Sequence, residues 1–444
     1  MMQEQVAPAI SAGDTAWVMI STALVLLMIP GLALFYGGLV RSRAILNTFM
    51  MSFAALAVVG VQWVLFGYAL AFQPGVFKNG LSWMGLHGVG AVAGPYSATI
   101  PHVAFSTFQV MFAGITVALI SGAMVERIRF RVYLIFAVLW TTLVYDPLAH
   151  WVWGTDGWLR ALGALDFAGG TVVHISAGTA ALVAAIILGR RHDVGRTPLM
   201  PHNVPFVLAG AGLLWVGWLG FNGGSALAAD GIAANAVMTT NAAACAALVT
   251  WLALDTWRTG QATAVGGATG AVVGLVAITP AAGYVTPLAA LAIGALGACA
   301  SFTAIQLRNR TRIDDALDVF ACHGVAGIVG ALLTGVFASK AVNPGGADGL
   351  LYGNPRLLGI QAIAVVFTIL FTAPVTTLVL TRLTTFGALR VPVPDELSGI
   401  DITEHGEHAY HEGGGSDLSG AGFRLGEAVV FATPKRELAE SEAA

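Results

Sequence analysis

Two histidines lie deep within apolar stretches of the sequence and are the first candidates for chemistry. His174 lies in GGTVVHISAG, and His323 lies in FACHGVAG. An ionisable group at membrane depth is costly enough to suggest a function, although a single buried histidine is more often a hydrogen-bonded packing residue. Two histidines in matching parts of the chain favour function. Because burial disfavours charge, we expect both imidazoles to be neutral, each able to donate one hydrogen bond and to accept another.

Carboxylates and aromatic residues accompany these histidines. Asp166 precedes the stretch that holds His174, and Asp318 precedes His323, so either carboxylate could cap a helix or orient a nearby pore. Phe108 and Phe112 are four residues apart and share one helix face, which alone would indicate packing. Trp153 follows an apolar stretch and alone would be a membrane-interface residue.

The composition places all these side chains in a membrane protein. Only 10% of the residues are charged and 57% are hydrophobic, with 55 glycines, whereas about a quarter of a soluble chain is charged. The net charge of -3 offers no basic surface for nucleic acid. A spanning helix needs about 20 mostly apolar residues. Eleven stretches meet this requirement, near 15–37, 46–72, 101–123, 132–150, 168–189, 203–223, 233–256, 262–280, 285–307, 317–337 and 357–381.

The distribution of basic residues predicts the orientation. With the first loop in the cytoplasm, 17 of the 21 lysine and arginine residues lie inside, as the positive-inside rule requires. Outside remain Lys78, Arg160, Lys340 and Arg356. We therefore expect a membrane domain over 1–382 with its N-terminus outside, and a cytoplasmic tail over 383–444. No lysine or arginine precedes Trp17, which favours a retained first helix over a cleaved signal peptide.

An odd number of helices in each half predicts an inverted repeat. Eleven spans divide as five, five and one, and two halves of five helices must run in opposite senses. The best trace of this repeat is a carboxylate before a histidine in the fifth and tenth spans, Asp166 with His174 and Asp318 with His323. The predicted fold is therefore an all-α polytopic membrane protein of eleven helices, built as an inverted five-helix repeat plus one helix.

Several long motifs resemble those of the ammonium transporter family (Amt/Mep/Rh), in particular its bacterial Amt type. In family order they are PGLALFYGG at 30–38, MVERIRF at 124–130, AHWVWG at 149–154, GALDFAGGTVVHISAG at 163–178, WLGFNGGS at 218–225, DVFACHGVAGIVG at 318–330 and DITEHGEHAY at 401–410. The resemblance implies a homotrimer in the lipid bilayer of the cell's inner (plasma) membrane, with one narrow pore within each subunit.

The resemblance also assigns roles to individual residues. It implies an outer recruitment site at Trp153, Phe112 and Ser225, and a gate of stacked rings at Phe112 and Phe221. It further implies that Phe108 and Trp218 line the path nearby, that His174 and His323 are the paired pore histidines, and that Asp166 supports cation binding or pore structure. This chain departs from the expected pattern at three charged positions, Asp146, Asp156 and Arg160.

The chemistry of these residues suits ammonium. Aromatic faces and a hydroxyl attract the cation, and a charge at the bilayer centre costs at least about 2.5 to 3.5 kcal/mol. Loss of a proton before the apolar section therefore lowers the barrier for ammonia, whereas potassium has no proton to lose. A neutral gas channel of the Rh kind and an ammonium sensor that signals through its tail are the alternatives.

No other chemistry is indicated by the sequence. It has no GxxxxGK[ST] loop for ATP and no HExxH or GxSxG motif, so we expect a transporter rather than an enzyme and no cofactor. His405, His408 and His411 could suggest a metal site, but the neighbouring glycines disfavour a helix that would gather them, and we expect none. The family resemblance also implies a PII-type regulatory protein on the cytoplasmic face.

Overall fold

The computed structural model describes residues 10–196 and 200–410, and most of them are helical. Eleven main helices follow in chain order: α1 Ala12–Leu39, α2 Ser42–Phe72, α3 His102–Ala123, α4 Phe130–Leu162, α5 Gly170–Leu188, α6 Val204–Gly224, α7 Gly231–Thr259, α8 Ala264–Ile278, α9 Pro287–Arg308, α10 Phe320–Phe337 and α11 Pro355–Phe386. Two short helices complete the described tail, α12 Val393–Ser398 and α13 Ile400–His405. Residues 411–444 of the predicted tail, with His411, lie outside the described residues.

Each main helix coincides with one predicted apolar stretch. Within the described residues, ten of the eleven are long and apolar enough to cross a membrane. The exception is α8, an apolar helix of 15 residues within the predicted stretch 262–280. A multi-pass helical membrane fold is thereby confirmed, while the eleventh crossing and the orientation of the termini stay predictions.

Polar side chains define where several helices begin. Ser11, Asn203, Asp230, Thr263 and Thr286 each accept a hydrogen bond from a backbone N–H in the first turn of α1, α6, α7, α8 and α9, respectively. Such caps satisfy N–H groups that have no partner within the helix. Each of these five polar residues therefore stands immediately before an apolar stretch and marks the start of its helix.

The fifth helix of each predicted half meets the other at glycines. A Cβ atom on Gly178 of α5 would lie 2.2 Å from the backbone nitrogen of Gly324 of α10. A Cβ atom on Gly327 of α10 would likewise lie 3.1 Å from the carbonyl oxygen of Gly170 in α5. Only glycine permits this approach, and it brings together two segments that lie far apart in sequence.

Wide π-helical turns begin both of these helices. They span Gly170–Ile175 in α5 and Phe320–Val325 in α10, and each contains one of the two candidate histidines. Two further π-helical turns interrupt α2 at Trp63–Gly67 and α4 at Thr141–Tyr145. A π turn shifts the register of the side chains that follow it and is frequent at functional sites.

Loops cap the two ends of the helical bundle. At the end that holds Trp153, strands β1 (Ala93–Gly94) and β2 (Ser97–Pro101) form an antiparallel hairpin, and one-turn helices occur at Val76–Asn79, Met84–Leu86 and Leu350–Tyr352. At the other end, Asp401 accepts hydrogen bonds from the backbone N–H groups of Leu46 and Asn47, and Glu404 accepts one from Phe130 at 2.8 Å. Residues 389–405 therefore hold the ends of α2 and α4.

Candidate conduction site

A wide vestibule opens at the end of the molecule where α4 and α6 finish. It consists of two cavities, of about 590 and 160 Å³, which share Trp153, Arg160, Phe167 and Ser225 in their walls. The indole Nε1 of Trp153 donates to the carbonyl oxygen of Asp166 at 2.9 Å, and Ser225 Oγ donates to the carbonyl oxygen of Phe221 at 2.8 Å. These bonds fix the orientation of both side chains at the vestibule wall.

Two stacked phenylalanine rings lie at the floor of the vestibule. The rings of Phe112 and Phe221 are 4.0 Å apart with an interplanar angle of 22°, and both side chains are buried. Trp153 meets Phe112 edge-on at 6.2 Å, and Phe108 packs behind Phe112 at 4.8 Å. The structure therefore brings four of the five predicted aromatic residues together here, with the Phe112–Phe221 pair separating the vestibule from the interior.

Beyond the two rings, His174 and His323 lie against each other. Their Nδ1 atoms are 3.3 Å apart, their ring centroids are 5.4 Å apart and their ring planes differ by 27°, so the two imidazoles meet edge to edge. The ring of Trp218 stacks on that of His174 at 5.3 Å, and its Nε1 donates to Thr279 Oγ1 at 2.8 Å. Nε2 of His174 has no hydrogen-bond partner among residues 10–196 and 200–410, so this atom is available to a molecule in the path.

The central cavity at the histidines is very small. It has a volume of about 10 Å³, which is near the lower limit for holding one water molecule. Phe221, Trp218, His174 and His323 form part of its wall, and the other lining side chains are apolar except for the phenol of Tyr36. Among the described residues, no carboxylate, lysine or arginine lines this section. A bare cation would therefore meet a desolvation barrier here.

Asp166 supports the beginning of α5 rather than lining the central section. Its two carboxylate oxygens accept hydrogen bonds from the backbone N–H groups of Gly169, Gly170, Thr171 and Val172, at 2.6 to 3.1 Å. These are the N–H groups that a helix start leaves without partners. The carboxylate thus holds in place the π turn that carries His174.

The corresponding residue in the second half is Asp315, which the sequence analysis missed. Asp315 is buried and accepts a hydrogen bond from the backbone N–H of Phe320 at 2.7 Å. It lies eight residues before His323, as Asp166 lies eight residues before His174. The predicted pairing of Asp166 with Asp318 is therefore corrected: Asp318 has a positive φ of 56° and forms an ion pair with Arg308 at 2.8 Å. Equal spacing to the histidine was the signal that would have found Asp315.

A further cavity, of about 330 Å³, lies on the side of the histidines away from the vestibule. Its wall includes Tyr36, Asp255, Asp318 and His323. His323 and Tyr36 line both this cavity and the central one, so the vestibule, the aromatic pair, the histidines and this cavity follow one another through the bundle.

The family model of the Ammonium Transporter Family matches residues 16–410. The chain belongs to this family. The family prediction made from the motifs is thereby confirmed, and the shared fold is that of a multi-pass membrane protein.

Relatives and solved structures agree with this membership. The ammonium transporter of Bacillus subtilis (strain 168) is 49% identical over 402 residues, which cover 90% of this chain and 99% of the relative. The crystal structure of Saccharomyces cerevisiae Mep2 matches with a TM-score of 0.82 at 36% identity, over 87% of this chain and 90% of that one. A structure described as a sensor Amt protein matches with a TM-score of 0.80 at 28% identity, over 88% of this chain and 98% of that one. The first of these names is that of a transporter and not of an enzyme.

The three charged residues that depart from the family pattern lie in different environments. Arg160 lines the vestibule. Asp156 accepts a hydrogen bond from the backbone N–H of Gly75 at 2.7 Å and lies 3.5 Å from Nε2 of His150. Asp146 is fully buried in α4 and accepts a hydrogen bond from Gln62 at 2.6 Å. Of the three, only Arg160 belongs to the candidate site.

Proposed function

We propose that the chain carries ammonium nitrogen across the inner (plasma) membrane of the cell through a pore within each subunit. The observation that carries this proposal is the order of the candidate residues: an aromatic and hydroxyl vestibule, a closed pair of rings, and a neutral section with two histidines. An ammonium ion in the vestibule would contact the ring faces of Trp153 and Phe112 and the hydroxyl of Ser225. Cation–π attraction at such a partly exposed site contributes about 0.5 to 1 kcal/mol per ring.

The central section favours passage of ammonia over passage of an intact cation. The rings of Phe112 and Phe221 must move apart before anything enters, because they are in van der Waals contact. Beyond them the cavity offers Nε2 of His174 as a hydrogen-bonding atom, and the described part of the chain places no fixed charge in its wall. A charge at the bilayer centre costs at least about 2.5 to 3.5 kcal/mol, so ammonium that loses its proton meets a lower barrier than potassium, which has none to lose.

The arrangement of the whole protein is proposed on the same basis. We propose eleven spans over 1–382 with the N-terminus outside, a cytoplasmic tail over 383–444 and assembly as a homotrimer. A PII-type regulatory protein would dock on the cytoplasmic face. The concentration of basic residues in the predicted cytoplasmic loops supports this orientation, and family membership supports the trimer.

The test is ammonium-dependent current in proteoliposomes that contain the purified full-length chain. An ammonium gradient should produce a current that saturates with concentration, and an equal potassium gradient should produce none. Uptake of nitrogen without current would favour the neutral gas channel instead. The absence of both uptake and current would contradict the proposed function.

An ammonium sensor is a second candidate, favoured by the likeness to the structure described as a sensor Amt protein. The contacts of Asp401 and Glu404 with the ends of α2 and α4 would allow the tail to respond to changes in the bundle. Ammonium-dependent change in protease accessibility of the tail, without transport, would support this alternative.

A further inference from the structure

Arg160 places a fixed positive charge in the vestibule that is proposed to attract a cation. It lies on the short helical turn Trp158–Leu162, and its side chain forms part of the wall of both vestibule cavities. Its Nη1 donates to the carbonyl oxygen of Trp153 at 2.7 Å. The guanidinium is therefore held beside the residue whose ring is proposed to receive ammonium.

No carboxylate of the described residues is in direct contact with the Arg160 guanidinium. Arg160 forms no ion pair within 4.0 Å with any of them, and Asp156, four residues earlier, is bonded to Gly75 and lies beside His150 instead. Among the described residues, the only carboxylate in the walls of the two cavities is that of Asp166. Its oxygens already accept four backbone N–H groups at the positive end of α5.

We propose that Arg160 determines the affinity of the transporter by lowering the cation concentration in the vestibule, an inference that rests on the proposed transport function. At an illustrative separation of about 7 Å, the guanidinium and a monovalent cation repel each other by roughly 0.6 kcal/mol in water. At an effective dielectric constant near 20 the repulsion is roughly 2 kcal/mol. The repulsion acts on sodium, potassium and ammonium alike. Occupancy then depends on the short-range contacts of the aromatic rings and the hydroxyl, which distinguish ammonium from other cations better than a diffuse negative charge would.

The experiment compares Arg160→Gln with the unsubstituted full-length chain in proteoliposomes of one neutral lipid composition. At low ionic strength the substitution should lower the half-saturating ammonium concentration about three- to tenfold. Because salt screens exposed charges within about 10 Å at 0.1 M, the difference should shrink as N-methylglucamine gluconate is added. The unsubstituted chain should itself bind ammonium more tightly as this salt is added, which tests the repulsion even without a variant.

Two further variants separate charge from structure. Arg356→Gln removes an exposed arginine at the start of α11, at the same end of the bundle, that lines neither cavity, and it should leave the half-saturating concentration unchanged. Arg160→Lys keeps the charge and should behave like the unsubstituted chain. If Arg160→Lys instead matches Arg160→Gln, the bond to the Trp153 carbonyl is what counts and the electrostatic proposal is wrong.

The outcomes also separate this proposal from the proposed function. An unsubstituted chain that carries ammonium, with an affinity that neither salt nor Arg160→Gln changes, overturns the role of Arg160 alone. An unsubstituted chain that carries no ammonium overturns both.

Discussion

The Nδ1 atoms of His174 and His323 face each other at 3.3 Å, so the two imidazoles must differ in tautomer. In this hydrogen bond one Nδ1 carries the proton and donates it, and the other Nδ1 accepts the hydrogen bond through its lone pair. The ring that donates at Nδ1 then has a bare Nε2, and its partner carries a proton at Nε2. Protonation of both rings would set two donors against each other. The pair is therefore arranged to stay neutral or to hold at most one extra proton.

Replacement of His174 tests whether this neutral pair excludes cations. His174→Asp would place a carboxylate in the central section, where its charge would offset the cost of a bare cation. We expect potassium current to appear in proteoliposomes. His174→Ala removes the hydrogen-bonding atom without adding charge, so ammonium transport should fall and potassium should remain excluded.

The alanine variant also provides the contradicting outcome for this mechanism. Normal ammonium current and normal selectivity in His174→Ala would make the histidine a packing residue. Size-exclusion chromatography of each variant would show whether assembly is intact.

The recruitment site is tested by the double substitution Trp153→Leu with Ser225→Ala. Loss of the ring face and the hydroxyl should weaken ammonium attraction by about 1 to 3 kcal/mol in total, seen as a higher half-saturating concentration. Trp153→Phe serves as a control, because it keeps a ring but removes the N–H donated to the Asp166 carbonyl. An unchanged concentration dependence in the double variant would exclude this site.

The helices were predictable from the sequence because a membrane-spanning helix needs little beyond a long apolar run. The limits of α6, predicted at 203–223 and observed at Val204–Gly224, differ by one residue since Asn203 caps the helix. The helix α8 is shorter than its apolar stretch because Thr263 caps its start and a turn follows Ile278. Composition detects an apolar run but not these local limits.

The meeting of the two histidines could not be derived from composition or periodicity. It depends on two π-helical turns and on the tertiary contact between Gly178 and Gly324. Neither the turns nor the contact follows from an apolar run. The choice of Asp318 over Asp315 has a different cause, because the eight-residue spacing that identifies Asp315 can be counted in the sequence. Three carboxylates, Asp314, Asp315 and Asp318, precede His323. The hydrogen bond from the backbone N–H of Phe320 agrees with the spacing and identifies Asp315 as the capping residue.

The ion pairs near the end of α9 predict a loss of stability in acid. Burial alone would raise the pKa of Asp314, but the hydrogen bonds and charge of Arg191, with the charge of Arg127, lower it to about 2 from an ordinary value of 3.8. A carboxylate whose pKa is lower in the folded protein than in the unfolded chain stabilises the fold at any pH above its unfolded-state pKa. This contribution is lost as the pH falls through the folded-state pKa. Stability should therefore decrease by about 2 kcal/mol between about pH 4 and pH 2.

The measurement is the apparent unfolding temperature of the purified protein as a function of pH. Asp314→Asn should lower it at neutral pH, because Arg191 loses a partner at 2.9 Å, and should flatten the decline between pH 4 and pH 2. An equally steep decline in the variant would assign the acid sensitivity to other groups.

The proposed orientation predicts the positions of two reporters. A reporter fused after Arg390 should be cytoplasmic, and one inserted near Lys78 should be external, because the basic residues are distributed unequally between the loops. If both reporters were on the same side of the membrane, the proposed topology of eleven spans would be wrong.

The close approach of α5 and α10 predicts that a single methyl group can separate the histidines. A Cβ atom on Gly178 would lie 2.2 Å from the nitrogen and 2.4 Å from the Cα of Gly324, and backbone atoms of a packed helix cannot yield cheaply. Gly178→Ala should therefore move α5 away from α10, break the 3.3 Å contact between His174 and His323 and sharply reduce ammonium transport. Gly212→Ala in α6 is the matched control, since its added methyl group meets nothing within 4 Å and alanine favours the helix by about 1 kcal/mol. Full transport by purified, correctly assembled Gly178→Ala would show that the path does not require the histidines to be in contact.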